Sequence, residues 1–158
     1  MAMMPRALGT KLRAWRVLPP SDKWLSLELA FELARARFEV SFVPLRIYTR
    51  DLGSPQAASN QSDPDRSEPA PDTLHLLSLV RALTRSLPAV LPWNCTCLVR
   101  ALAAFRVLRR RGCRTSLCLG VRKNPSDLEA HAWLSHGSRV ITGGTEAAGF
   151  SPLVLFKG

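Results

Sequence analysis

The sequence NCTCLVRALAAFRVLRRRGC, residues 94–113, begins with two closely spaced cysteines and continues as an apolar, arginine-rich run of helical period. Asn94 or Thr96 can cap a helix here, because their side chains accept hydrogen bonds from first-turn N–H groups. Gly112 stands where a left-handed residue commonly ends a helix. We therefore predict a helix from about Cys97 to Arg111.

Beyond this helix the apolar pattern changes to alternation, which is typical of strands. Residues 115–121 predict one strand, 130–134 and 139–141 predict a hairpin, and 150–156 predict a last strand. Helices followed by a run of antiparallel strands form the α+β pattern. We therefore predict an α+β fold, with a helical N-terminal part and an antiparallel sheet.

Two longer helices are predicted before the two cysteines. The first begins at Ser21 or Asp22 and ends or kinks at Pro44, and the second spans residues 73–87. A short helix is predicted over residues 45–52.

The first of these helices carries large apolar side chains at roughly helical spacing, widened by three leucines. We expect this helix to be largely buried, with its aromatic side chains in the core. The spaced residues are Trp24, Leu27, Phe31, Ala34, Phe38 and Phe42, and the leucines are Leu25, Leu29 and Leu33.

Residues 53–72 read GSPQAASNQSDPDRSEPAPD and contain no large apolar side chain. Such a composition cannot bury enough surface to fold alone, and it is typical of loops and linkers. We therefore predict a helical N-terminal segment over 1–52, a flexible linker or loop over 53–72, and a core over 73–158.

The formal net charge of +10 suits contact with nucleic acid, anionic membranes or acidic peptides. The arginines are spread along the chain, however, and aromatic residues are not interleaved with them as in nucleic-acid platforms. The triplet Arg109–Arg111 falls at a predicted helix end, where basic side chains oppose the negative end of the helix dipole. We expect no nucleic-acid partner.

The chain contains no run of about 18 apolar residues, so we expect no membrane span. Its first residues are basic but lack an apolar signal-peptide region, and we expect a cytoplasmic protein. In that compartment the four cysteines should be reduced thiols.

Cys95 and Cys97 have three possible roles: a metal site, a disulfide or one reactive thiolate. Cys95 and Cys97 are separated by one residue, and Cys113 and Cys118 by four, which fits poorly with zinc-ligand spacing. A Cys95–Cys97 disulfide would be strained. We expect no metal and no cofactor.

A cysteine in the first turn of a helix faces unpaired N–H groups and the positive end of the helix dipole. That position favours the thiolate, which is the nucleophilic form, and the same N–H groups can stabilise an oxyanion. The thiol also needs a histidine within about 3–4 Å as general base. His75, His131 and His136 are the candidates. On these residues alone, a Cys–His enzyme and a globular domain with structural thiols both stay open.

Four ordered motifs, CLVRAL at 97–102, LRRRG at 108–112, LGV at 119–121 and AHAW at 130–133, closely resemble the leader peptidases of lasso-peptide biosynthesis. These enzymes belong to the transglutaminase-like, papain-related cysteine protease superfamily. The N-terminal part is also similar to the helical lead-in of that family. It contributes WLSLELA at 24–30, LARAR at 33–37, Val43-Pro44 and Leu52-Gly53.

The resemblance implies a transglutaminase-like cysteine peptidase core over residues 73–158, with the nucleophile at a helix N-terminus. It implies Cys97 as the nucleophile, rather than Cys95, and His131 as the base. Arg100, one turn beyond Cys97, is expected to form a structural ion pair, with an acidic leader or another subunit as alternative contacts.

The implied activity is that of a cysteine endopeptidase, a hydrolase that removes the leader from a ribosomally synthesised lasso precursor peptide through an acyl-enzyme. The implied partners are the precursor peptide, a separate leader-binding protein and the ATP-dependent lasso cyclase. The chain has no Gly-rich phosphate loop, so we do not expect it to be that cyclase.

The sequence departs from the family in one respect. The family triad is completed by an acidic residue, usually Asp, roughly a dozen positions after the histidine, whereas residues 141–146 here read ITGGTE. Glu146, Thr142, a backbone carbonyl or water could orient His131 instead.

Two other functions are compatible with these residues, one through the same Cys–His site and one through the positive charge. A transglutaminase-like acyltransferase would pass the acyl group to an amine instead of water. A non-catalytic module would use the basic surface to bind a peptide or nucleic acid, and its binding would fall steeply with salt.

Overall fold

The α+β fold predicted from the sequence is confirmed in a computed structural model of the chain, which describes residues 19–44, 47, 49–57, 69–124 and 127–158. The described helices are α1 (Pro20–Phe42), α2 (Pro71–Ser86) and α3 (Cys97–Arg110), with short 3-10 turns at Arg50–Leu52, Leu87–Ala89 and Gly144–Gly149. The strands are β1 (Gln56–Ala57), β2 (Ser116–Lys123), β3 (Leu128–His136), β4 (Arg139–Thr142) and β5 (Ser151–Lys157).

The five strands form one antiparallel sheet in the order β1-β5-β2-β3-β4. The predicted hairpin is confirmed: β3 and β4 are adjacent, and Gly137 supplies the left-handed residue of their turn with φ 53°. β5 returns beside β2, so the last residue of the chain, Gly158, exchanges both backbone hydrogen bonds with Thr115.

Helix α3 is the centre of the fold. The Thr96 side chain caps it by accepting a hydrogen bond from the Val99 N–H, at an N···O distance of 3.5 Å. Val99 and Phe105 are fully buried, because α3 packs against both α1 and the sheet. A helix apolar on several sides is expected in such a central position.

The C-terminal end of α3 is held to α1 by ion pairs. Arg110 contacts Glu28 at 3.0 Å and Glu32 at 2.9 Å, and Arg111 also contacts Glu28. Burial acts to raise the pKa of Glu28, but Arg111 and Arg110 together outweigh burial and hold that pKa below its ordinary value. These arginines therefore connect two helices, in addition to lying at the helix end as predicted.

The prediction that the aromatic residues of α1 pack in the core is wrong. Trp24 is 74% exposed and Phe31 is 67% exposed, whereas Leu29 and Leu33 are fully buried. Helix α1 has apolar side chains on two faces, and its aliphatic face is the one that packs on the rest of the fold. We call the outer residues the exposed stripe; they are Trp24, Leu27, Phe31, Phe38 and Phe42.

Truncating a side chain on the buried face of α1 should lower the free energy of unfolding more than truncating one on the exposed face. Leu29→Ala should lower the free energy of unfolding by about 2–5 kcal/mol, because it leaves a cavity in the core. Phe31→Ala should lower it by less than about 1 kcal/mol, because that side chain is mostly in solvent. Chemical denaturation of both variants measures the difference, and equal losses would contradict this assignment of the two faces.

The three predicted segments, 1–52, 53–72 and 73–158, stay a prediction. Within the described residues, Gln56 and Ala57 of the second segment pair with β5, and Pro71–Ser86 begins slightly before the third. Residues 1–18 and 58–68 lie outside the described residues, and so do residues 45, 46 and 48 of the short helix predicted over 45–52. Within the described part of that segment, Arg50–Leu52 form a 3-10 turn. No helix in the described part of the chain is long and apolar enough to cross a membrane.

Candidate active site

Cys97 is the first residue of α3 and is partly exposed. The first intrahelical hydrogen bond runs from the Arg100 N–H to the Thr96 carbonyl, at 3.1 Å. The N–H groups of Cys97 and Leu98 come before it, and helix geometry gives them no acceptor within α3. The thiol therefore stands beside two backbone donors at the positive end of a helix dipole.

His131 lies on β3 and is buried between aromatic rings. Its ring centroid is 4.9 Å from that of Phe150 and 6.2 Å from that of Trp133. The neighbouring strand carries Gly120 opposite His131, and a Cβ there would come within 2.7 Å of the Trp133 ring. Because Gly120 has no side chain, the Trp133 indole can lie over it, in its position beside His131.

The imidazole of His131 is oriented by a backbone carbonyl. Its Nε2 lies 3.1 Å from the carbonyl oxygen of Gly143, which directly follows β4. When Nε2–H donates to that oxygen, Nδ1 is the basic nitrogen of the neutral ring. Among the groups considered from the sequence, the described residues place a backbone carbonyl at this nitrogen, whereas the side chain of Glu146 is outside the described part.

Gly143 requires glycine for two reasons. Its φ of 88° lies in the left-handed region, and a Cβ there would lie 2.8 Å from the Cα of Trp133 and 2.9 Å from the Ala132 carbonyl oxygen. The tight approach places the Gly143 carbonyl next to the strand that carries His131.

Cys97 and His131 line the same cavity, which has a volume of about 420 Å³ and which we call the site cavity. That volume lies within the range of pockets that hold small ligands or short peptide segments. The remaining described lining residues come from α2, from the segment leading into α3 and its first turn, and from the β4 region: Arg81, Thr84, Arg85, Cys95, Arg100, Val140, Ile141, Thr142, Gly143 and Gly144.

The other three cysteines are poor nucleophiles in these surroundings. Burial raises the pKa of Cys95, although the Arg100 charge offsets part of that effect. Burial also raises the pKa of Cys113, and it raises that of Cys118 to about 11. A raised pKa lowers the thiolate fraction at neutral pH, which disfavours these three thiols as nucleophiles. All four cysteines are free thiols.

The other two histidines do not line the site cavity. His75 is exposed on α2, and Nδ1 of His136 lies within hydrogen-bond distance of the Arg114 carbonyl. The side chain of Glu146 lies outside the described residues. Within the described ranges, no group of three or more His, Cys, Asp or Glu side chains could hold a metal ion.

Sequence reasoning did not identify Arg81 and Arg85 as members of the cavity. They lie four residues apart on α2, so they share one face of that helix, but nothing in the sequence indicated which face meets α3. The expected structural ion pair of Arg100 is not found among the described residues, and its Nε has no partner there.

The family model of the transglutaminase-like superfamily matches residues 36–155 of the chain. Comparison with curated proteins and with solved structures gives no significant match.

Proposed function

The chain belongs to the transglutaminase-like superfamily, which includes cysteine peptidases and acyltransferases, and we propose that it is a cysteine endopeptidase removing the leader from a lasso precursor peptide. One observation carries the proposal: Cys97 at the start of a helix and His131 with an oriented imidazole line one cavity. The order of the motifs at 97–102, 108–112, 119–121 and 130–133 supports the choice of this substrate class.

Acylation begins when Nδ1 of His131 takes the thiol proton of Cys97 and the resulting thiolate attacks the carbonyl carbon of the last leader residue. A carbon–sulfur bond forms, and the carbonyl oxygen takes the negative charge. The N–H groups of Cys97 and Leu98 donate hydrogen bonds to that oxygen. His131 then gives its Nδ1 proton to the nitrogen of the core peptide as the carbon–nitrogen bond breaks.

Deacylation repeats these steps with water as the nucleophile. Nδ1 of His131 takes a proton from water while the water oxygen attacks the thioester carbon. The carbon–sulfur bond breaks, the leader leaves with a new carboxylate, and the Cys97 thiolate is restored. The freed core amine is the group that the ATP-dependent cyclase would then close into a ring.

The Gly143 carbonyl orients the His131 imidazole, a role that an acidic residue has in the lasso-peptide leader peptidases. A carbonyl holds the imidazole tautomer, as an acid does, but it carries no full charge to stabilise the imidazolium.

The proposed partners are the precursor peptide, a separate leader-binding protein and the lasso cyclase, with no cofactor and no nucleic acid. The exposed stripe on α1 supports a protein partner, because extended apolar patches on a surface mark sites of contact. The four free thiols agree with action in the reducing cytoplasm.

Product masses test the proposal against the acyltransferase alternative. The chain is incubated with a lasso precursor peptide and its leader-binding protein, with and without a simple primary amine. We expect a leader that ends in a free carboxylate in both reactions, because water is the acceptor. A leader bearing the amine as an amide would favour the acyltransferase. An intact precursor in both reactions would reject both enzymes and leave the basic binding module.

A further inference from the structure

The described residues that line the site cavity include cationic side chains and no acidic one. Three of them, Arg81, Arg85 and Arg100, are positively charged. Arg81 and Arg85 are exposed on α2, whereas Arg100 lies deeper, one turn beyond Cys97 on α3. The positive charge is therefore next to the nucleophile and also at the entrance.

Elsewhere in the fold, arginines of α3 are paired with glutamates. Arg106 contacts Glu39 at 2.6 Å, and Arg110 contacts Glu32 at 2.9 Å. Within the part of the chain that the structure describes, none of the three cavity arginines takes part in an ion pair. Among the described residues, the arginines that join α3 to α1 are paired with glutamates, whereas no acidic side chain pairs with the cavity arginines.

Two buried polar atoms of the cavity residues have no hydrogen-bond partner among the described residues. The Nε of Arg100 and the hydroxyl of Thr142 are both buried, and neither makes a hydrogen bond to any described residue. Thr142 is 6% exposed, so its side chain is more than nine-tenths buried. Buried polar atoms in folded proteins are almost always satisfied by protein or by ordered water, so Arg100 and Thr142 leave hydrogen-bonding capacity at the cavity that water or a ligand group can fill.

We propose that the site cavity selects peptides that carry an acidic side chain close to the scissile bond. A guanidinium binds a carboxylate through paired hydrogen bonds as well as charge, and three guanidinium side chains line this cavity. A sphere of about 420 Å³ is about 9 Å across, and an extended peptide advances about 3.3–3.6 Å per residue. The carboxylate therefore lies within about two residues of the bond that Cys97 attacks.

This inference rests on the proposed function, but its test does not depend on cleavage. The full chain carrying Cys97→Ala is titrated by NMR with capped heptapeptides of alanine and glycine whose central residue is Glu, Gln or Lys. Salt near 0.15 M screens long-range attraction between a basic protein and any acidic peptide. We expect the Glu peptide to bind about tenfold more tightly than the Gln peptide, and the Lys peptide to bind least.

Matched variants separate the cavity from the overall charge. Arg81→Gln and Arg100→Gln should each remove most of the preference for Glu over Gln. Arg139→Gln removes the same charge from an exposed position on β4 outside the cavity, and it should keep the preference. Because Arg81 is exposed on a helix surface, its replacement tests the inference without threatening the fold.

Equal binding of the Glu and Gln peptides would overturn the inference, and so would absence of binding by every peptide. A loss caused by Arg139→Gln as large as that caused by Arg81→Gln would also overturn it, because it would show a general charge effect. A chain that prefers the Glu peptide but cleaves no precursor would keep the inference and lose the proposed peptidase activity. A chain that cleaves precursors without regard to acidic residues would do the reverse.

Discussion

Replacing Cys97 by alanine is expected to lower precursor cleavage by at least about 10⁴-fold, because removing a nucleophile abolishes the covalent route. Cys95→Ala provides the matched control. Cys95 lines the same cavity only two positions earlier, but burial raises its pKa and disfavours its thiolate. We therefore expect Cys95→Ala to retain cleavage within a few-fold. Cleavage rates of the two variants, measured by mass spectrometry of the products, provide the comparison.

Alkylation of the native chain gives a second readout that needs no substrate. At pH 7, Cys97 should react with iodoacetamide before the other three thiols. The reason is that burial raises the pKa of Cys95, Cys113 and Cys118, so little of their thiolate is present. A Cys95→Ala variant without activity, together with faster labelling of Cys95 than of Cys97, would assign the nucleophile to Cys95 instead.

The helix that carries Cys97 was predictable because its signals are local. Thr96 is a capping residue, the apolar residues that follow have a helical period, and Gly112 is left-handed with φ 69°. The alternation in β2 and β3 is local in the same sense, and the hairpin turn contains its own glycine. Each of these features depends on neighbours in the sequence and not on distant packing.

The orientation of α1 was not predictable for the opposite reason. Its aliphatic and aromatic residues both recur at helical spacing, so periodicity gives two apolar faces and does not rank them. The preference for the aliphatic face is set by α3, whose Arg106 and Arg110 meet Glu39 and Glu32 on that side of α1. Pairing between residues so far apart in sequence cannot be deduced from the pattern of either helix alone.

The cavity was predictable in part. The resemblance led to Cys97 and His131, and the structure brings both to one cavity, but their catalytic roles stay a proposal. The contact at Nε2 of His131 could not be identified from the pattern of side chains, because the atom there belongs to the backbone of Gly143. Gly143 has no side chain whose chemistry would indicate such a role in the sequence. The need for glycine there becomes evident only from its φ of 88° and its close approach to Trp133.

Gly143→Ala is accordingly expected to cause the second largest loss of activity, about 10²-fold or more in kcat/KM. An alanine at φ 88° is strained, and its Cβ would meet the backbone of Trp133 and Ala132, so the chain after β4 must shift. The carbonyl would then move away from Nε2 of His131, and the imidazole would lose the contact that fixes its tautomer.

Gly144→Ala is the matched control, because it separates backbone strain from loss of the carbonyl. Gly144 also has a left-handed φ, at 54°, but a Cβ there would meet nothing within 4 Å. Both variants should lose about 1 kcal/mol or more of stability to strain, whereas only Gly143→Ala should lose catalysis in the folded fraction. Thermal unfolding and kcat/KM, measured on both variants, distinguish these effects. If Gly143→Ala unfolds earlier but its folded fraction cleaves normally, the Gly143 carbonyl does not orient the base, and another group must hold His131.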